Sequence, residues 1–298
     1  MVDAKKQPLA EVFGFPSNDT SERATRYRRH KLCPFNNRVP NCTKDKANDP
    51  LGVCSIYYQT DAKAEAIITC PVRFRQDWVI AEDAARFFFD PSTSWTSLSE
   101  IRLKDKNGQS AGNIDLVLVA YDERGKVIDF GSLEIQAVYI SGNVRRPFEY
   151  YMEDPAARTD MDWGSLASYY PRPDFLSSSR KRLVPQMLFK GGILKEWNKK
   201  QGVALQRSFY ETLPTLPEVD AQSAEIAWFL YDLELQQGQF QLTLSKTVYT
   251  EFWPALNTIT TPEAGSMTDF IDVLQSRLDE KQNGSAPDAP LITELPLS

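Results

Sequence analysis

The stretch Ala111–Tyr139, AGNIDLVLVAYDERGKVIDFGSLEIQAVY, constrains the fold more than any other part of the chain. Two apolar, β-branched runs flank the polar turn Asp122-Glu123-Arg124-Gly125, which predicts a β-hairpin. Acids interrupt both runs: Asp115 early in the first strand and Glu134 in the second. Side chains alternate along a strand, so Glu134 and Gln136 share one face. Leu133, Ile135 and Ala137 leave the other face, the expected core side. A carboxylate on an apolar strand is costly unless something pairs with it. Two carboxylates converging from adjacent strands suit a hard divalent cation such as Mg²⁺, which completes its shell with phosphate and water. Acids that merely edge a sheet would leave the same local pattern.

Around this hairpin the chain has 298 residues, 42 % of them hydrophobic, enough for one large domain or two small ones. No run of eighteen apolar residues occurs, and MVDAKKQPLAEVFGF has no long apolar core, so neither a membrane span nor a secretory signal is expected. A cytoplasmic protein is the corresponding expectation. Met1 to Asn18 reads as polar and without an assigned element. Thr20 to Lys31 reads as a basic helix or arm with Ser21 as a possible N-cap; it holds the solitary His30, which has no nucleophile to serve. Leu32 to Val72 is rich in turn signals and too poor in apolar residues for a core of its own. Trp78, Val79, Ala81, Ala84, Ala85 and Phe88 recur at helical spacing and predict a helix over Gln76 to Phe89. Glu100 to Lys106 is a short strand leading into the hairpin. Ser141 to Ser178 is a long polar, aromatic excursion, and loops of that length are usually functional. Ser179 to Lys200 reads as a helix strained by Pro185 and Gly191-Gly192. A strand over Val203 to Tyr210 follows. Two more strands turn at Gln236-Gln237-Gly238, and a last helix runs from Thr261 to near Lys281. Three divisions result: a basic arm and cysteine module (1–75), a main domain with a C-terminal extension (76–282) and a disordered tail (283–298).

Net charge is −6, but its distribution matters more than its sum. Glu211 to Ser298 carries 14 acids and 3 bases, which leaves the first 210 residues at +5. Ser21 to Lys46 alone holds eight bases, among them Arg26, Arg28, Arg29, Lys31 and Arg38. Arg145, Arg146 and Arg172 interleave with Tyr150, Tyr151, Tyr169 and Tyr170, a composition that suits contacts to phosphate and base edges. Arg180, Lys181 and Arg182 would make a helix's first turn basic, against the dipole's preference, as happens where an anion docks. Double-stranded DNA is the partner such clusters fit. A solvated basic face, or an excursion that only covers the sheet, has the same composition.

All four cysteines, Cys33, Cys42, Cys54 and Cys70, fall within 38 residues. Without a signal peptide disulfides are disfavoured. The spacing lacks a tight C-x₂-C knuckle, yet clustering and the prolines after Cys33 and Cys70 point to one structural metal per chain. Four thiolates suit Zn²⁺ or a single iron.

Asp115, about twenty residues, then Glu134-x-Gln136 resembles the active site of the PD-(D/E)XK nucleases, with Gln136 where most members carry lysine. That departure is similar to the NotI-type restriction endonucleases. LCPFNNRVPNCTKDKANDPLGVCS, TCPVRF and SSSRKRLVPQMLFKGGIL resemble that family too, and the likeness covers roughly Tyr27 to Leu213. It implies an α/β (mixed α+β) fold with an αβββαβ core, to which the cysteine module and the C-terminal strands and helix are added. It further implies iron in the four-cysteine site and a Mg²⁺-dependent enzyme that cuts double-stranded DNA at a palindromic, GC-rich site as part of a restriction system. The enzyme would work as a homodimer. Asp115, Glu134 and Gln136 would be catalytic, with Glu100, fifteen residues before Asp115, as a third acid. A metal-stapled DNA-binding protein without nuclease activity shares the basic arm but does not need the paired acids. An iron electron-transfer protein would make the cysteine module the active part.

Overall fold

The computed structural model describes residues 6–36, 39–46, 48–59, 64–166 and 170–282; Arg38, Tyr169 and the expected tail over 283–298 lie outside them. The central hairpin is β6 (Ser110–Tyr121) and β7 (Val127–Gln136), turned at Asp122–Gly125 as its residues predict. Gly125 takes φ +74°, and the Asp122 carboxylate accepts the N–H groups of Arg124 and Lys126 at 3.0 and 2.8 Å. Antiparallel to β6 lies β5 (Trp95–Lys104), longer at its start than expected. On the other side β7 pairs in parallel with β10 (Gln201–Gln206), which is parallel to β11 (Ile226–Gln236). β12 (Gln239–Thr250) closes the edge, giving a six-stranded sheet in the order β12-β11-β10-β7-β6-β5. β10 stops at Gln206, and Arg207–Tyr210 turns as a short helix where the sequence suggested more strand.

Both faces of this sheet are covered. α2 (Val79–Phe88) lies on the Leu133 and Ile135 side. Phe88 packs where β7 and β10 carry Gly131 and Gly202; a Cβ at Gly131 would sit 2.4 Å from its ring. The helix starts at Val79 and not at Gln76, because Asp77 and Trp78 take φ +50° and +56°, which a helix cannot contain. The opposite face is covered by a helical run in five parts, Phe175–Ser178, Ser179–Leu183, Val184–Gln186, Met187–Gly191 and Gly192–Glu196. The second and fourth parts are π-helical and flank Pro185. Proline has no N–H to give to the preceding turn and crowds its carbonyl, and wider turns on either side keep the run continuous through the strain expected there. Its N-cap is Asp174, whose side chain accepts the Ser177 N–H at 2.9 Å, so the run starts ahead of the helix expected from Ser179. Glu134 and Gln136 therefore leave the sheet into a second buried interface, not into solvent.

Of the stretch Met1 to Asn18, residues 6–18 are described, and they are not elementless. β1 (Leu9–Val12) and β2 (Phe15–Pro16) join β3 (Val53–Gln59) and β4 (Ala64–Ile68) in a second sheet, ordered β2-β1-β3-β4. β3 and β4 form inside the stretch read as loop. Their short apolar runs pack with Leu9, Val12, Val144 and Phe148 into a core that reaches as far along the chain as Leu256. Buried Arg73 ties this sheet to the large one: it bonds Glu11 on β1 and the Phe240 carbonyl on β12. The long excursion contains α3 (Arg145–Glu153) and a small hairpin of β8 (Tyr139–Ser141) with β9 (Arg172–Asp174). Met1–Thr260 forms one compact unit, and Thr261–Ser298, with its helix Met267–Gln282, forms another.

Candidate active site

The acids of the sequence pattern stand in one row across three strands. Ser99↔Leu116 and Ile101↔Ile114 bracket Glu100, which places it opposite Asp115. The β6–β7 ladder runs to Leu116↔Leu133, and one step further Asp115 stands opposite Glu134. There a side chain replaces the backbone ladder: Asp115 Oδ2 accepts the Ile135 N–H at 2.8 Å. The substitution holds the Asp115 carboxylate beside that of Glu134.

Glu134 is 6 % exposed and faces Val203 of β10 in register. Burial first, and then the charge of Asp115, push its carboxyl up to about 7 against the pull of a neighbouring ammonium. Oε2 accepts from Lys190 Nζ at 2.5 Å, while Oε1 is buried with no hydrogen-bond partner. A buried carboxylate oxygen left unpaired is unfavourable. Here it lies beside a second carboxylate, a donor set that fits a small divalent cation.

Lys190 is the residue that the strand pattern did not bring forward. It sits in the second π-turn, 5 % exposed, and also donates to the Asn113 carbonyl at 2.8 Å. One signal was available: it is the lone charge in the apolar segment MLFKGGIL. Gln136 is buried, and its Nε2 donates to the Ala137 carbonyl at 2.7 Å. Glu100 takes φ +56° on the exposed edge strand. Among the described residues no three His, Cys, Asp or Glu side chains group closely enough to hold a metal, so the Glu100 carboxylate does not join the pair.

Asp115 and Gln136 open into a cleft of about 720 Å³, whose wall also includes Lys44, Tyr139, Arg145 and Arg182. Arg182 is exposed and lies over the Tyr139 ring at 4.9 Å. Arg180 and Lys181 are exposed beside it, one turn inside the helical run, so the expected clash with the dipole at a first turn does not arise. Arg146 and Arg172 are exposed as well. Arg145 is held by Asp45 and Asp49 at 2.6 and 2.7 Å, which raises its pKa and offsets its charge.

On α1 (Glu22–Arg29), Arg26 and Arg29 are exposed; Lys31, just beyond, is exposed with Asp49 at 3.5 Å. Arg28 corrects the sequence reading. It is 3 % exposed, donates to the Pro16 and Asp19 carbonyls at 2.6 and 2.5 Å, and stacks on Tyr151, so it cannot reach a phosphate.

All four cysteines are free thiols. Burial, with the charge of Cys70 as a further cause, raises Cys33 to about 11 and also raises Cys42 and Cys54. The four thus lie within electrostatic reach of one another, but as placed they do not make a closed metal-ligand group.

Among known protein families, the chain matches the family model for restriction endonuclease NotI over residues 18–242. No curated protein matches it.

Proposed function

The chain belongs to the restriction endonuclease NotI family and is a type II site-specific deoxyribonuclease; from that premise we propose that its cleavage centre is the Asp115–Glu134 pair. The observation that carries this reading is the position of Asp115 opposite Glu134, at the point where a carboxylate replaces the β6–β7 ladder. The order α2, β5, β6, β7, helical run, β10 supports an αβββαβ core of the PD-(D/E)XK kind, with the acids on its central strands.

In this reading Asp115 and Glu134 hold Mg²⁺; two carboxylates are enough for an ion whose other ligands are water and substrate phosphate. When bound, the ion supplies Lewis-acid stabilisation of the phosphate and a more acidic water. Gln136, in the cleft wall, orients the attacking water by hydrogen bonding. An amide carries no positive charge, so charge at the phosphate must come from elsewhere. Glu100, opposite Asp115 in register, is kept as an outer acid. Arg26, Arg29, Lys31, Arg146, Arg172, Arg180, Lys181 and Arg182 offer exposed charge to the DNA backbone. A palindromic, GC-rich site would be read by a two-fold homodimer, as part of a restriction system. The four cysteines would hold one structural Zn or Fe that positions the basic arm; their clustering as free thiols, three of them buried and Cys33 half-buried, supports this.

Purified protein given supercoiled plasmid and GC-rich genomic DNA should yield discrete fragments with Mg²⁺ and none with EDTA. Asp115→Asn should abolish cutting while binding to the cognate site in Ca²⁺ survives. Intact but retarded DNA with every metal would favour a non-cleaving DNA-binding protein. Cutting by Asp115→Asn at the wild-type rate would move the active site elsewhere.

A further inference from the structure

The nuclease pattern on β7 ends in an amide, and the structure brings an ammonium to the same place from a different element. We propose that Lys190, delivered by the helical run, is the positioning residue that supplies this site's positive charge by holding Glu134. The inference rests on the Asp115–Glu134 reading above.

Four observations converge on it. Lys190 and Glu134 are both buried, with side chains 6 % and 8 % exposed, and are bonded at 2.5 Å. A buried lysine and glutamate are each unfavourable alone, and apolar residues in their place are often as stable or more so, so the pair gains little as a stability device. The lysine stem lies against Gly112, where an added Cβ would stand 3.4 Å from Cδ and where φ is +116°, a region that favours glycine. The backbone on this part of β6 thus meets the stem in ordinary contact and offers the Asn113 carbonyl to Nζ. Lys190 sits in a π-turn, and such turns are frequent at functional sites. The turn is firmly seated: a Cβ at Gly191 would stand 2.7 Å from both Gln201 Oε1 and the Phe252 ring. Gln136, by contrast, gives its amide to a backbone carbonyl and reaches neither acid in this arrangement.

In the metal-free chain the ammonium therefore fixes the Glu134 carboxylate beside Asp115 and offsets the repulsion between them. The same position makes Lys190 a competitor of any cation that enters. Two opposite effects follow from one substitution: loss of Lys190 should slow cleavage and tighten metal binding. A lysine that merely filled a cavity would not produce both.

The test uses full-length protein at pH 8. Lys190→Met should lose at least about a hundredfold in single-turnover cleavage with saturating Mg²⁺, the scale for a removed electrostatic group. It should bind Ca²⁺ or Mn²⁺ severalfold more tightly by calorimetry, and its affinity for cognate DNA without metal should change far less than the rate. Restoring the charge from the strand, with Gln136→Lys in the Lys190→Met background, should recover at least tenfold of the lost rate. Should Lys190→Met not fold, Lys190→Gln replaces it in every measurement. Cleavage near the wild-type rate, unchanged or weaker metal binding, or no rescue by Gln136→Lys would each overturn the proposal. Asp115→Asn is measured alongside: if it is inactive while Lys190→Met is active, only the role of Lys190 falls; if both cut normally, the site itself is misplaced.

Discussion

Glu11→Gln tests how the first 75 residues are joined to the rest of the chain. Glu11 and Arg73 have side chains with no solvent exposure. Arg73 Nε donates to both Glu11 oxygens at 2.9 and 3.0 Å, and Ser55 Oγ donates to Glu11 at 2.8 Å. Gln76 Oε1 and the Phe240 carbonyl accept the remaining guanidinium bonds at 2.7 and 2.9 Å, and Phe35 stacks on it at 4.3 Å. The substitution keeps shape and volume, so no cavity contributes. It leaves a buried cation facing an amide, and breaking one side of such a pair costs about 3–5 kcal/mol. For a unit of this size that lowers Tm by about 6–20 °C, at about 2–4 °C per kcal/mol. The paired replacement Glu11→Leu with Arg73→Met removes both charges. Gln76 Oε1 still accepts the Leu242 N–H at 3.0 Å, so the groups left without partners are the Phe240 carbonyl and the buried Ser55 hydroxyl, at about 1–3 kcal/mol each. The double variant should therefore lose about as much as Glu11→Gln, and Arg73→Met alone, which leaves a buried carboxylate unpaired, should be worse than the double. Urea unfolding followed by tryptophan fluorescence measures all three, and one cooperative transition is expected because Arg73 links β1 to β12. A loss below about 1 kcal/mol for Glu11→Gln, or a double variant less stable than Arg73→Met alone, would refute the reasoning.

Metal affinity and cleavage should rise with pH through about 7, because Glu134 is held protonated below that value by burial and by Asp115, and the proton competes with a cation; a pH titration of Mn²⁺ binding that is flat between pH 6 and 8 would count against Glu134 as a ligand. Arg29→Gln should weaken binding to all DNA sequences alike and flatten the log–log salt dependence by about one unit. Arg28→Gln should instead lower the melting temperature, since its side chain serves the Pro16 and Asp19 carbonyls; equal salt effects from the two would contradict that difference. Elemental analysis should find about one Zn or Fe per chain, lost in Cys42→Ser together with part of the thermal stability; metal-free protein that folds and cuts normally would remove the structural metal.

Local signals in the sequence determined a good deal. The Asp122–Gly125 turn needs a residue that tolerates positive φ and an aspartate that can cap it, and both requirements are local. The same holds for the strands about Gln236-Gln237-Gly238, and for the alternation that sends Glu134 and Gln136 to one face with Leu133 and Ile135 on the other. What tertiary structure decided was which polar groups are buried and what they meet. LAEV at Leu9–Val12 is too short to show a period, and only pairing with β3 makes it a strand. Arg28 sits in a run of bases identical in kind to Arg26 and Arg29, and only the packing of α1 beside Pro16 and Tyr151 removes it from the surface. Lys190 lies 56 residues from Glu134 in the chain, on a different element, and no spacing rule connects them. The physical reason is the range of the forces. Turn geometry and side-chain alternation act over a few residues and are written where they act. Desolvation and ion pairing depend on which surfaces close over a group, and those surfaces come from distant parts of the chain.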